Sequence, residues 1–225
     1  MTRPQELLPC VEIEPAGRAR ATVIWLHGLG ADGHDFEPIV PELRLPASLG
    51  VRFVLPHAPS IPVTLNGGMR MPAWYDIRDL DLRNRHDPVG IERSRGQIEA
   101  LIAREVERGI PARRIALVGF SQGGAIALHT ALRHPERLAC AIGLSTYLVL
   151  PDTLPAEASP SNRDLPIFMA HGSHDPMVMH ERGVASKERL EALGWTVDFR
   201  TYPMAHEVCL PEVRDVARAL AAALS

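Results

Sequence analysis

Residues 115–134 read IALVGFSQGGAIALHTALRH, and the way this stretch divides decides the fold. Its first part, 115–120, is an unbroken apolar run, the pattern of a strand covered on both faces. Its second part, 122–134, reads as a helix stopped by Pro135. Between them stands Gly119-Phe120-Ser121-Gln122-Gly123, a G-x-S-x-G pattern at a strand-to-helix junction. A serine at so sharp a turn adopts backbone angles that leave no room for neighbouring side chains. Glycines two residues before and two after it supply that room. The bare pattern is common by chance; the flanking strand and helix are what make Ser121 a candidate nucleophile.

Working outward, short apolar runs at 22–27, 51–55, 138–145 and 167–171 read as further buried strands. The run 195–202 differs, because Trp195, Val197 and Phe199 alternate with Thr196, Asp198 and Arg200, which suits a half-exposed edge strand. Helical patterns lie between the strands. In 91–108, Ile91, Ile98, Leu101, Ile102 and Val106 share one face and Gly109 can end the helix. Further helices are expected at 180–193, before Gly194, and at 211–224, with Val213, Val216 and Leu220 on one stripe. Strands alternating with helices predict an α/β fold with a mostly parallel, doubly wound sheet. Two segments, 56–74 and 147–164, carry weak helix or strand signals and read as functional loops. With no internal repeat or low-complexity linker, residues 1–225 read as a single domain.

Composition excludes several classes. A chain of 225 residues with 46% apolar and 23% charged residues can bury a core without disulfides or metal. Its three cysteines, Cys10, Cys140 and Cys209, are scattered, and Cys140 reads as a small core residue. The net charge of −3 gives no broad attraction to nucleic acid. Lys187 is the sole lysine, and the arginines are dispersed apart from short concentrations at 83–95 and 113–114, read as solvated helix faces. No run approaches the ~18 apolar residues of a membrane span, and no basic-then-apolar leader opens the chain, so a cytoplasmic location is expected. No His/Cys/Asp cluster has metal-ligand spacing such as H-E-x-x-H, so no metal or other cofactor is expected.

A serine hydroxyl needs a base, and chains of this type run serine, then acid, then histidine. Of the ten histidines, His27, His34, His57 and His86 precede Ser121, and His129 and His134 lie on the helix after it. His171, His174 and His180 belong to the preceding strand end and its loop. Only His206 follows the final strand, which makes it the expected base. The expected acid is Asp175, in His171-Gly172-Ser173-His174-Asp175-Pro176, just beyond a strand's carboxyl end. Asp152 and Asp164 are its rivals, and a surface helix cap is the alternative role for Asp175. Two backbone amides should face the developing oxyanion. One belongs to Gln122, and the other, assigned to Leu29, lies in the loop His27-Gly28-Leu29-Gly30-Ala31-Asp32-Gly33. That loop matches neither phosphate-binding pattern, G-x-G-x-x-G or a Walker loop.

These motifs together resemble those of the carboxylesterase and acyl-protein thioesterase family, also called the phospholipase/carboxylesterase family. The likeness runs from about Thr22 to the C-terminus. It rests on Leu26-His27-Gly28-Leu29-Gly30-Ala31-Asp32-Gly33, on Pro56-His57-Ala58-Pro59 followed by Pro72-Ala73-Trp74-Tyr75-Asp76, on Phe120 to Ala125, on the Asp175 motif, and on Ala205-His206. The resemblance implies an α/β-hydrolase fold without a large cap domain. It also implies a metal-free serine hydrolase cleaving carboxylic esters or thioesters through an acyl-enzyme, acting on a small ester, an acylated protein or a lysophospholipid. Homodimers are common in such a family, and no stretch here marks an interface. The segment 147–164 departs from the family pattern, beginning Tyr147-Leu148-Val149-Leu150-Pro151, which puts the acyl-length preference in question. Leu65, Met69, Met71, Trp74, Leu148 and Val178 are expected to border the acyl channel or to be ordinary core. Two other functions share the fold: an amidase or peptidase, separable by anilide turnover, and a non-catalytic small-molecule binder, whose usual sign is loss of a triad member.

Overall fold

The computed structural model describes residues 7–78 and 87–225. His86 and the start of the arginine-rich stretch, 83–86, lie outside the described residues.

The apolar runs become a seven-stranded sheet. Its strands are β1 (Cys10–Ile13), β2 (Ala21–Leu26), β3 (Val51–Pro56), β6 (Ile115–Phe120), β7 (Cys140–Leu144), β8 (Ile167–Gly172) and β9 (Val197–Tyr202). They lie in the order β1-β3-β2-β6-β7-β8-β9. All neighbours pair parallel except β1, which runs antiparallel to β3 with Cys10 opposite Pro56. The alternating strand β9 takes one edge, as its sequence anticipates.

Side chains alternate between two apolar layers. On β2, Ile24 and Leu26 join one layer while Val23 and Trp25 join the other; on β6, Leu117 and Val118 divide the same way. The first layer meets α1 (Pro88–Glu107), α2 (Gln122–Arg133) and α4 (His180–Ala192), represented by Ile98, Leu128 and Leu190. The second meets α5 (Leu210–Ala223) through Val213, Val216 and Leu220, and the short turns around Phe36 and Leu43. Covering both faces explains why the central strands are apolar throughout. Cys140 lies in this core, where burial pushes its thiol up to about 12.

The two weak-signal segments hold small elements. Within 56–74, β4 (Ser60–Val63) and β5 (Met69–Pro72) form an antiparallel hairpin outside the main sheet. Within 147–164, a single turn of helix, α3 (Leu154–Glu157), follows the loop from β7. No helix among the described residues is long and apolar enough to cross a membrane.

After β2 the chain adds β3 on one side, and after α1 it resumes with β6 on the other. The carboxyl ends of β2 and β6 therefore flank a topological switch point, where open α/β sheets place their clefts.

Candidate active site

The turn between β6 and α2 holds Ser121 at φ 53°, ψ −121°, a region non-glycine residues rarely occupy. Its anchors are local: the Ser121 amide donates to Leu144 O at 2.8 Å, and the Thr146 hydroxyl donates to Ser121 O at 2.6 Å. The flanking glycines are sterically required. A Cβ on Gly119 would lie 2.4 Å from the Gly123 carbonyl, and one on Gly123 would lie 2.4 Å from His27 O. The second contact also shows how closely α2 approaches the loop after β2.

Three side chains from three strand ends converge here. His206 Nε2 is 2.9 Å from Ser121 Oγ, and His206 Nδ1 is 2.7 Å from Asp175 Oδ2. A carboxylate only accepts, so Nδ1 carries the proton and Nε2 is free to accept from the serine. The Asp175 side chain is fully buried, and its Oδ1 accepts from the Met177 and Val178 amides at 2.8 and 2.9 Å. The Phe120 ring packs against the His206 imidazole with centroids 4.7 Å apart.

Two further imidazoles brace the loops. Gly28 O, 2.7 Å from His27 Nδ1, can only accept, so Nδ1 carries the proton; His27 Nε2 then accepts from the Ala58 amide at 3.1 Å. Burial lowers the His27 pKa and keeps this neutral tautomer. In the acid loop, His171 Nε2 donates to Val178 O at 2.7 Å, and burial lowers its pKa too. Two other histidines are engaged elsewhere. His129 sits against Glu92 with its pKa pushed by burial to about 4, and His134 pairs with Glu99. Neither rival acid is bonded to His206: Asp164 pairs with Arg137, and Asp152 is exposed. Among the described residues, no group of three or more His, Cys, Asp or Glu side chains is arranged to hold a metal ion.

A cavity of about 220 Å³ opens at Ser121 and His206. Leu29 and Gln122 line it beside the serine, and neither backbone amide makes a hydrogen bond among the described residues. Apolar side chains supply most of its wall, including Leu65, Ile77, Phe120, Tyr147, Met177 and Val178. Asp76 ties this wall together by accepting from both the amide and the hydroxyl of Thr64, while the Leu65 amide donates to Ile77 O.

Of the six residues expected to border such a channel, Leu65 and Val178 do so; Met69, Met71, Trp74 and Leu148 do not. Trp74 is fully buried, its indole N–H donating to His27 O at 2.9 Å and its amide donating to Gln122 Oε1 at 2.8 Å. It supports the loop after β2 from behind. Leu148 joins the core, and Met69 projects outward from the β4–β5 hairpin, 65% exposed. Ile77, Phe120 and Met177 also line the cavity, as does Tyr147, which opens the segment 147–164. Phe120, Tyr147 and Met177 had a usable signal, since each adjoins the carboxyl end of a parallel strand or the acid motif there.

The phospholipase/carboxylesterase family model matches residues 9–224. Acyl-protein thioesterase 1 of Neurospora crassa is 45% identical over 221 residues, covering 94% of this chain and 88% of that protein. Acyl-protein thioesterase 1 of Gibberella zeae is 41% identical, covering 89% and 88%. The crystal structure of Zea mays acyl-protein thioesterase 2 superposes with a TM-score of 0.86 at 32% identity, covering 96% and 99%. With nearly its whole length matched, this chain belongs to the phospholipase/carboxylesterase family of α/β-hydrolases.

Proposed function

We propose that the chain is a serine hydrolase that cleaves carboxylic esters and thioesters, with Ser121 as nucleophile, His206 as general base and acid, and Asp175 as the residue that orients His206. The observation that carries this reading is the Ser121–His206–Asp175 hydrogen-bond chain opening onto an apolar cavity. His206 Nε2 takes the hydroxyl proton as Ser121 Oγ bonds to the acyl carbon, and the carbonyl electron pair moves onto oxygen. The Leu29 and Gln122 amides donate to that oxyanion. When the carbonyl re-forms, the alcohol or thiol leaves with the proton from His206. Water, deprotonated by the same nitrogen, then releases the carboxylic acid and restores Ser121. Asp175 stabilises the imidazolium in both halves without taking its proton.

The names of the relatives favour a thioester on an acylated protein as the physiological bond, with the acyl chain in the cavity and the protein outside it. Small esters and lysophospholipids present the same acyl group. The test is a series of acyl esters beside matched thioesters and anilides. Turnover of esters and thioesters with anilides at least a hundredfold slower supports the reading. Comparable anilide turnover would favour an amidase, and no turnover of any substrate would favour a binding protein.

A further inference from the structure

Among the described residues, four non-glycine residues have positive φ, and three of them are Ser121 and, in the segment after β7, Ser145 (φ 46°) and Leu150 (φ 47°). The last two bracket the segment that carries Tyr147. Such conformations persist only where the surroundings over-determine them, and they gather at functional sites. The segment is held at every residue from 145 to 148. The Ser145 amide donates to Ala170 O at 2.8 Å, the Thr146 hydroxyl to Ser121 O, and the Leu148 amide to Ser186 Oγ at 2.9 Å. The Tyr147 hydroxyl shares a 2.8 Å hydrogen bond with the hydroxyl of Tyr75, which is 2% exposed. Burial raises both phenols, Tyr147 to about 12, so both stay neutral.

Exposure orders the cavity wall. Asp35, Leu65 and Met177 are exposed and form its mouth, whereas Val178 and Tyr147 are buried. Beyond Tyr147 lies the still more deeply buried Tyr75. We infer that Tyr147 is the floor of the acyl cavity and the residue that limits acyl-chain length. This rests on the reading of the cavity as the acyl site. A chain that outgrows the space must push the phenol aside, separating two hydroxyls where no water replaces the lost bond. The fixed backbone gives the ring little freedom to yield.

The experiment measures kcat/KM for p-nitrophenyl esters from butanoyl to dodecanoyl in the full chain. The wild type should fall steeply at a chain length within this series. Tyr147→Ala should raise the dodecanoyl-to-hexanoyl ratio by about tenfold or more, and Tyr147→Phe, which keeps the ring but loses the hydroxyl bond to Tyr75, should raise it less. Tyr147→Leu is measured alongside in case the alanine variant does not fold, with circular dichroism checking each. A wild type that hydrolyses dodecanoyl as well as hexanoyl ester, or an unmoved ratio in a folded alanine or leucine variant, would overturn the assignment of Tyr147 while leaving Ser121 intact. Absence of all ester turnover in the wild type would instead sink the underlying reading, and the assignment with it.

Discussion

The turn at Ser121 and the wall of the cavity beside it are built in opposite ways. The three proposed triad side chains stand at the carboxyl ends of β6, β8 and β9, each held by contacts that are local in sequence or imposed by strand register. The wall is assembled from Leu29, Leu65, Ile77, Tyr147 and Val178, drawn from five separate loops. Chemistry is therefore fixed by a few backbone constraints that tolerate little change. Selectivity is spread over side chains that can be exchanged singly. The two regions should respond differently to substitution.

The largest effect should come from the relay. Asp175→Asn removes the charge that orients and supports His206 and should lower kcat/KM by about 10⁴ with the fold retained. Asp152→Asn and Asp164→Asn should stay within about twofold of wild type. Steady-state kinetics on one short ester checks all three. Loss of turnover in either of the last two with Asp175→Asn active would reassign the acid and leave Ser121 and His206 standing.

Legibility divides along the same line. Gly119 and Gly123 announce the sharp turn at Ser121 because a Cβ at either would strike backbone, a constraint that leaves its mark on residue identity. Position after the last strand singled out His206 among ten histidines. The hairpin β4–β5 left no such trace. Its strands have four residues each, contain Pro62 and Pro72, and bury little, so no apolar alternation marks them. β1 is hidden for the same reason, being short and half-exposed. Trp74 shows the limit from the other side. Its size and place near the loops suggest a channel wall, yet its indole N–H is claimed by His27 O, a partner 47 residues away. Only tertiary structure decides between those uses.

The relay side also carries a burial cost that the cavity wall lacks. Glu212, near the start of α5 and just beyond the His206 loop, is fully buried, and burial pushes its carboxyl up to about 8. The folded chain thus keeps that proton up to about pH 8, whereas the unfolded chain releases it near the ordinary value of 4.5. Stability from this group is full below about pH 4.5, declines as pH rises, and levels off above about 8. Glu212→Gln should therefore be more stable than wild type at pH 8, by roughly 2–4 kcal/mol. The gap should close toward pH 4. Thermal melts of both proteins across this range check the sign; a wild type that gains on the variant as pH rises would contradict it.

Substitutions in the wall should be mild. Val178→Ala trims a buried lining side chain and should change kcat/KM by about three- to tenfold, more for longer acyl esters than for acetate, with KM carrying most of it. Met69→Ala, on the hairpin away from the cavity, should change nothing beyond about twofold. An equal effect of both on every chain length would mean that the cavity does not hold the acyl group.

The central claim is that Ser121 is the nucleophile, and covalent trapping tests it most directly. A fluorophosphonate forms a stable bond to an activated serine oxygen, and intact-mass analysis with peptide mapping locates the adduct. The account predicts one adduct per chain on Ser121, none in Ser121→Ala, and slow labelling in Asp175→Asn, in proportion to its lost turnover. An adduct on any other serine, or ester turnover by Ser121→Ala near the wild-type rate, would contradict it.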